Sequence, residues 1–261
     1  MNKQISFLSG IFRCGNTLLR SILNQNPNLF VSPNSFIPEI ILILHRVKET
    51  HQFKDWKHID VDVKHPNNEE YYNSVIKNVF NNYYSNFKEK YIIDQGRWGA
   101  PGNFDLLREY HFLPKKFIML IRPFEDIVKS WLRVNDIPKY RITIACDELM
   151  SEYGALGHSI LALENLLKYQ SENLLFISYD KLCVDPKKEI DKIYKFLDIP
   201  LYKNHKFKNL KQVDDNGNKP TTIRTNKIEK INYKNDIVIP ETILKKYSKG
   251  VELLKGLNEI Y

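Results

Sequence analysis

The residues best able to do chemistry lie at the start of the chain, in residues 5–25, ISFLSGIFRCGNTLLRSILNQ. A short apolar strand leads into Gly10, a basic-polar loop and an apolar-periodic helix that stops at Asn26-Pro27. A loop that opens a helix after a buried strand aims unpaired backbone N–H groups and the positive end of the helix dipole at one spot. That spot suits phosphate or sulfate. Gly10 and Gly15 let the backbone come close, Arg13 adds a fixed charge, and Asn16 and Thr17 add side-chain donors. The glycine spacing matches a Walker A loop, but Asn16 stands where that loop needs lysine. This argues against ordinary ATP or GTP hydrolysis and leaves anion binding open.

The elements that must position this loop follow from hydrophobic periodicity. Apolar strands are expected at 29–31, 91–93, 116–121 (KFIMLI) and 174–177. Helices are expected at 37–47, 69–87, from Asn103 to about 110, at 124–133, 151–169, 186–197 and 240–257. Residues 48–68 read as an irregular polar excursion and 202–235 as a long loop, a lid or binding segment. Apolar strands alternating with helices predict an α/β fold with a central parallel β-sheet flanked by helices. The expected organisation is one domain over 1–261: a core to 200, the loop 201–235, and a C-terminal helix in 236–261.

In such a sheet, ligands bind at the carboxyl ends of the strands. Four features fall there: the first loop; Asp94, Arg97 and Trp98 after the third strand; Arg122 after KFIMLI; and Tyr179-Asp180 after the last strand. Arg122 and Ser130 are eight apart, at a strand exit and two turns into the next helix. Both can meet a second phosphate, distinct from the one at the first loop.

Charged residues make up 27% and hydrophobic ones 43% of the 261, with a net charge of +8 and a pI of about 9.1. The basic residues are spread along the chain with no run longer than a pair, which describes a solvated lysine-rich surface better than a nucleic-acid footprint. Cys14, Cys146 and Cys183 lie far apart and make neither a metal spacing nor a disulfide framework. No signal-peptide pattern and no apolar run long enough to cross a bilayer is present. A cytoplasmic protein without a metal is expected, and oligomeric state is unread.

Taken together, the motifs resemble the sulfotransferases that use 3′-phosphoadenosine 5′-phosphosulfate (PAPS). Phe12-Arg13-Cys14-Gly15-Asn16-Thr17 is similar to that family's loop after strand one. Arg122 with Ser130 eight residues on is similar to its second motif. Tyr179-Asp180-Lys181-Leu182, Asp185-Pro186 and Phe196-Leu197-Asp198-Ile199-Pro200 are similar to its third. The resemblance covers the chain to Pro200 and implies a P-loop-like three-layer α/β/α fold. It implies that Arg13, Cys14, Gly15, Asn16, Thr17 and Leu18 hold the 5′-phosphosulfate. Arg122 and Ser130 would hold the 3′-phosphate, Tyr179 would lie near the adenine, and Arg224 would close a loop over the nucleotide.

The implied reaction moves a sulfuryl group to an acceptor hydroxyl, on a carbohydrate or small molecule rather than a protein. Arg13 is the expected stabiliser of the leaving phosphate, with Arg97 as a second candidate. Relatives carry a glutamate just after the second strand and a lysine in the Asp94 segment. This chain has Ser32-Pro33-Asn34-Ser35 and Gln95 there, so Glu39 and Asp94 are the candidate bases. Two other readings compete. One is a non-catalytic nucleotide-binding module of the same fold. The other is a cysteine-dependent phosphatase, since Cys14 and Arg20 are spaced as its nucleophile and arginine are.

Overall fold

The computed structural model describes residues 3–50, 69–169, 171–211, 228 and 237–261. The chain begins with β1 (Gln4–Leu8), α1 (Asn16–Leu23), β2 (Leu29–Asn34) and α2 (Ile37–Lys48). It continues with α3 (Glu69–Lys77), α4 (Val79–Tyr83), β3 (Tyr91–Gln95), α5 (Pro101–Glu109), β4 (Phe117–Ile121) and α6 (Phe124–Val134). Then come α7 (Ile142–Met150), α8 (Ala155–Leu166), β5 (Leu174–Ser178), α9 (Tyr179–Val184) and α10 (Pro186–Leu197). Two helices, α11 (Glu241–Lys246) and α12 (Ser248–Ile260), close the described chain.

The five strands form one parallel sheet in the order β2-β3-β1-β4-β5. Helices flank it as a three-layer α/β/α sandwich, the expected fold class. All five residues of β4 are buried, which is what a strand covered on both faces requires. Phe7 of β1 meets Phe80, Trp98 and Phe117 at ring-centroid distances of 5.6, 4.8 and 5.1 Å. The centre of the core therefore sits under the middle strand.

Because β1 is central, the chain fills one side of it with β2 and β3, then crosses to β4 and β5. In open parallel sheets the loops that leave the carboxyl ends of such neighbouring strands are where a ligand crevice forms. The register sets those ends in two steps: Leu8 pairs Gln95 of β3 and Ile118 of β4, so β4 and β5, where Ile121 pairs Ser178, run on past the end of β1.

Several helices differ from expectation for local reasons. The helix expected at 69–87 divides at Asn78, whose Nδ2 donates to the Ser74 carbonyl (2.9 Å) and competes with the backbone ladder. The helix expected at 151–169 begins after Gly154, where a Cβ would lie 2.3 Å from the carbonyls of Glu148 and Leu149. Asn103 caps nothing: α5 starts at Pro101, and Asn103 Nδ2 instead donates to the Arg97 carbonyl (3.0 Å). The last helix breaks at Tyr247. Residues 202–211 of the expected 202–235 loop carry no helix or strand; 212–227, with Arg224, and 229–235 lie outside the described residues, as do residues 51–68 of the expected polar excursion. Among the described residues, no helix is long and apolar enough to cross a membrane.

Candidate functional site

The loop from β1 to α1 has the backbone of an anion cradle. Arg13 (φ 60) and Gly15 (φ 97) are both left-handed. Alternating handedness of this kind makes a concave nest of N–H groups. The first turn of α1 holds no acidic residue, so nothing offsets the dipole there. Asn16 is used differently from the sequence expectation. Its Nδ2 donates to the Ile11 carbonyl (3.0 Å), fastening the loop on itself. Its carboxamide fills the space that a Cβ on Gly10 would need, 2.0 Å away. Asn16 thus offers a ligand its backbone N–H, with its side-chain NH2 engaged by the loop and its Oδ1 buried without a partner. Leu18 packs its side chain on the core.

The two arginines expected to bind anions meet. Arg122, 3% exposed at the end of β4, donates from Nη1 to the Arg13 carbonyl (3.3 Å). Its guanidinium lies 4.3 Å from the centre of the Tyr179 ring, a cation–π contact. Tyr179 in turn abuts the loop: a Cβ on Gly15 would sit 2.5 Å from its ring. Arg13 donates from Nε (3.3 Å) and Nη2 (3.2 Å) to Ser130 Oγ, and Ser130 is itself buried on α6. Ser130, expected to pair with Arg122, is held by Arg13, and Arg122 joins them through the Arg13 carbonyl. Two guanidiniums, one hydroxyl and the loop share one end of the crevice.

The exit of β3 is a second region. Asp94 is fully buried. Its Oδ1 accepts from Ser35 Oγ (2.9 Å) and Trp98 Nε1 (2.6 Å), and its Oδ2 accepts from Tyr84 OH. Burial pushes its carboxyl up to about 6, against the pull of those three donors. An acid enclosed in this way braces the ends of β2 and β3 and does not meet an acceptor, contrary to its sequence assignment. Glu39, in the first turn of α2, is exposed and acts on Asp94 as a nearby like charge.

Arg97 is exposed on the same exit loop and donates from Nη1 to His158 Nδ1 on α8 (3.2 Å). Burial, then the Arg97 charge, holds His158 below the ordinary imidazole range. A guanidinium only donates, so neutral His158 carries its proton on Nε2. The next residue, Ser159, accepts from the Phe12 backbone N–H (3.4 Å), which ties α8 to the first loop. Sequence reading missed His158, because one histidine in an apolar helix has no spacing partner. It named Arg20 of α1 only as a phosphatase arginine, whereas that side chain is buried, 4% exposed, and its Nη1 donates to Gln95 Oε1 (2.8 Å). There the signal existed: a cation inside LLRSIL demands a buried polar partner.

Cys14 is fully buried, and loss of solvation pushes its thiol far up. It is the opposite of an activated nucleophile, and buried Leu19 fills what would be the phosphatase cradle. The cysteine-phosphatase reading is thereby set aside. Among the described residues, no group of His, Cys, Asp and Glu is arranged to hold a metal.

Comparison of the sequence with curated proteins gave no significant match. Solved structures share the fold at low identity. A sulfotransferase from Alicyclobacillus acidocaldarius aligns over 99% of this chain and 96% of its own, with TM-score 0.55 and 13% identity. The sulfotransferase domain of the curacin biosynthetic pathway covers 78% of this chain and 76% of its own, with TM-score 0.50 and 17% identity. The sulfotransferase domain of the Synechococcus PCC 7002 olefin synthase covers 77% and 75%, again with TM-score 0.50 and 17% identity. The model of the sulfotransferase family matches residues 6–203, a span holding the first loop, Arg122, Ser130 and Tyr179, and the chain belongs to that family.

Proposed function

We propose that the protein transfers a sulfuryl group from PAPS to the hydroxyl of a carbohydrate or small-molecule acceptor. The observation that carries this is the convergence of Arg13, Arg122 and Ser130 on the left-handed loop at the head of α1. A ligand with two separated acidic ends fits a cradle with two guanidiniums and a helix N-terminus. The loop N–H groups of residues 13–18 hold the 5′ end. Arg122 and Ser130 hold the 3′-phosphate, and Tyr179 keeps Arg122 flat and borders the adenine.

PAPS supplies the activated sulfur: the acceptor oxygen bonds to it while the bond to the 5′-phosphate oxygen breaks, its electron pair leaving with the phosphate. The chain's own part is to stabilise charge on that phosphate with donors fixed beforehand. Arg13 does so from the loop and Arg97 from the β3 exit. Glu39 is the acid open to solvent on the acceptor side and takes the acceptor's proton. Asp94, enclosed by its three donors, holds the frame.

Binding of 3′-phosphoadenosine 5′-phosphate (PAP) tests the reading. A ligand at 100 times its Kd adds about 2.7 kcal/mol to a folded state that alone binds it. For a chain of this size that is a rise in Tm of about 5–10 °C. Arg122→Ala removes charge-assisted hydrogen bonds of about 1.5–3 kcal/mol, a loss of about 10- to 150-fold in PAP affinity. No rise in Tm with PAP, or a rise unchanged by Arg122→Ala, counts against the reading. Tight PAP binding with no transfer of labelled sulfate to any hydroxyl compound selects the non-catalytic module instead.

A further inference from the structure

Next to the donor cradle, the ends of β3 and β2 carry a chain of side chains whose direction is fixed by chemistry. Gln95 is 4% exposed and is held on every side. Its backbone N–H donates to Ser32 Oγ (2.8 Å), and its carbonyl accepts from the Ser35 N–H (3.0 Å). Its Oε1 accepts from Arg20 Nη1 (2.8 Å), and its Nε2 donates to Asn34 Oδ1 (3.0 Å).

A guanidinium has donors only. The Gln95 oxygen must therefore face Arg20, its NH2 must face Asn34, and the oxygen of Asn34 must face Gln95. What remains at the exposed end of the chain is the NH2 of Asn34. Each link fixes the direction of the next, so the last donor is held pointing outward. Strands lie about 4.8 Å apart, so the end of β2 stands roughly 10 Å from the end of β1, where the first loop begins. That places Asn34 on the acceptor side of the crevice.

We infer that Asn34, oriented by Gln95 and Arg20, is the recognition donor for the acceptor, and that the acceptor is a hydroxy acid whose carboxylate meets the Asn34 NH2 while its hydroxyl faces the sulfur. This rests on the sulfuryl-transfer reading above and names the substrate class of the same site. A carboxylate is favoured over a neutral oxygen because the outward group is an NH2, which only donates, and the exposed Arg97 guanidinium stands on the adjoining β3 exit loop.

The test uses protein saturated with PAP and three probes of one shape: 4-hydroxybenzoate, 4-hydroxybenzamide and 4-methylphenol. Calorimetric titration is expected to show 4-hydroxybenzoate binding at least 10-fold tighter than 4-methylphenol, with the amide between them. Asn34→Ala should erase that preference. Gln95→Glu is the sharper variant. A carboxylate at 95 accepts from Arg20 and has nothing to donate, so Asn34 must turn its NH2 inward and its oxygen outward. The preference for the carboxylate should then vanish or invert, although no side chain has left the crevice. Equal binding of 4-hydroxybenzoate and 4-methylphenol overturns the inference, as does a preference that survives both variants. An amide that binds as tightly as the acid overturns the carboxylate class. PAP stabilisation of each variant reports the donor site separately: if PAP binds and the preference is absent, only this inference fails. If PAP does not stabilise the wild-type protein, the sulfuryl-transfer reading fails, and the inference with it.

Discussion

Asp94 sits where its sequence position suggests a base, and its surroundings make it something else. Three donors reach its carboxylate, yet loss of solvation outweighs them and raises its pKa from 3.8 to about 6. The folded state therefore holds a proton between about pH 4 and 6 that the unfolded chain has released. Stability must fall as pH rises through that window, by up to about 3 kcal/mol at 1.36 kcal/mol per unit. Asp94→Asn removes the titration, so this part of the slope should disappear. Urea unfolding at pH 4 and pH 7 reads it directly. Relative to Asp94→Asn, the wild-type protein should lose about 1–3 kcal/mol on going from the lower pH to the higher. A relative gain would mean that the donors outweigh burial, and that Asp94 is an ionised group held ready for chemistry.

At the scale of elements, the first loop is shaped by a fit between two residues that the sequence shows as separate motif positions. Gly10 reads as a glycine chosen for closeness to an anion. Its tightest neighbour is in fact the Asn16 carboxamide, 2.0 Å from where a Cβ would stand. The same amide fastens the loop through the Ile11 carbonyl. Gly10→Ala alone must push Asn16 out and open the loop, at a cost of about 1–3 kcal/mol for overpacking. Asn16→Ala loses a hydrogen bond worth about 1 kcal/mol and clears the space. The double variant should therefore be more stable than the sum of the two losses predicts, by about 1 kcal/mol or more, in a thermodynamic cycle from urea unfolding. Strict additivity would show that Gly10 serves the ligand and not Asn16.

The elements themselves were largely legible where apolar runs are unbroken, as in KFIMLI and LLFIS. They were illegible where one side chain or one close backbone contact divides a helix, as at Asn78 and Gly154. Such breaks depend on tertiary neighbours that periodicity does not contain.

Over the whole molecule, the sheet order explains why residues more than a hundred positions apart form one site. β1 lies between β3 and β4, so Arg13 on its loop meets both the arginine that leaves β4 and the serine on the helix beyond. This was readable because strand-exit positions map to one edge of any parallel sheet. The Arg20–Gln95–Asn34 chain was not, because its order depends on the β2–β3 register and on which way α1 turns a buried cation.

The same arrangement sets how binding responds to salt. The net charge of +8 comes from basic residues spread along the chain, and exposed charge is screened over about 10 Å at 0.1 M salt and about 3 Å at 1 M. Arg122, by contrast, is 3% exposed, and its contacts lie within the fold. If the surface lysines drew PAP in, its affinity would fall steeply, with a slope near one charge per phosphate contact. If the buried cradle holds it, raising KCl from 0.1 to 1 M should weaken binding by less than about 10-fold, because buried pairs are screened far less than exposed ones. Arg122→Ala should then make what binding is left more salt-sensitive, since exposed charge supplies a larger share of the attraction that remains. Titration calorimetry of both proteins with PAP across that salt range decides it. A steep slope in the wild-type protein that Arg122→Ala leaves unaltered would move the anion site out of the crevice and onto the surface.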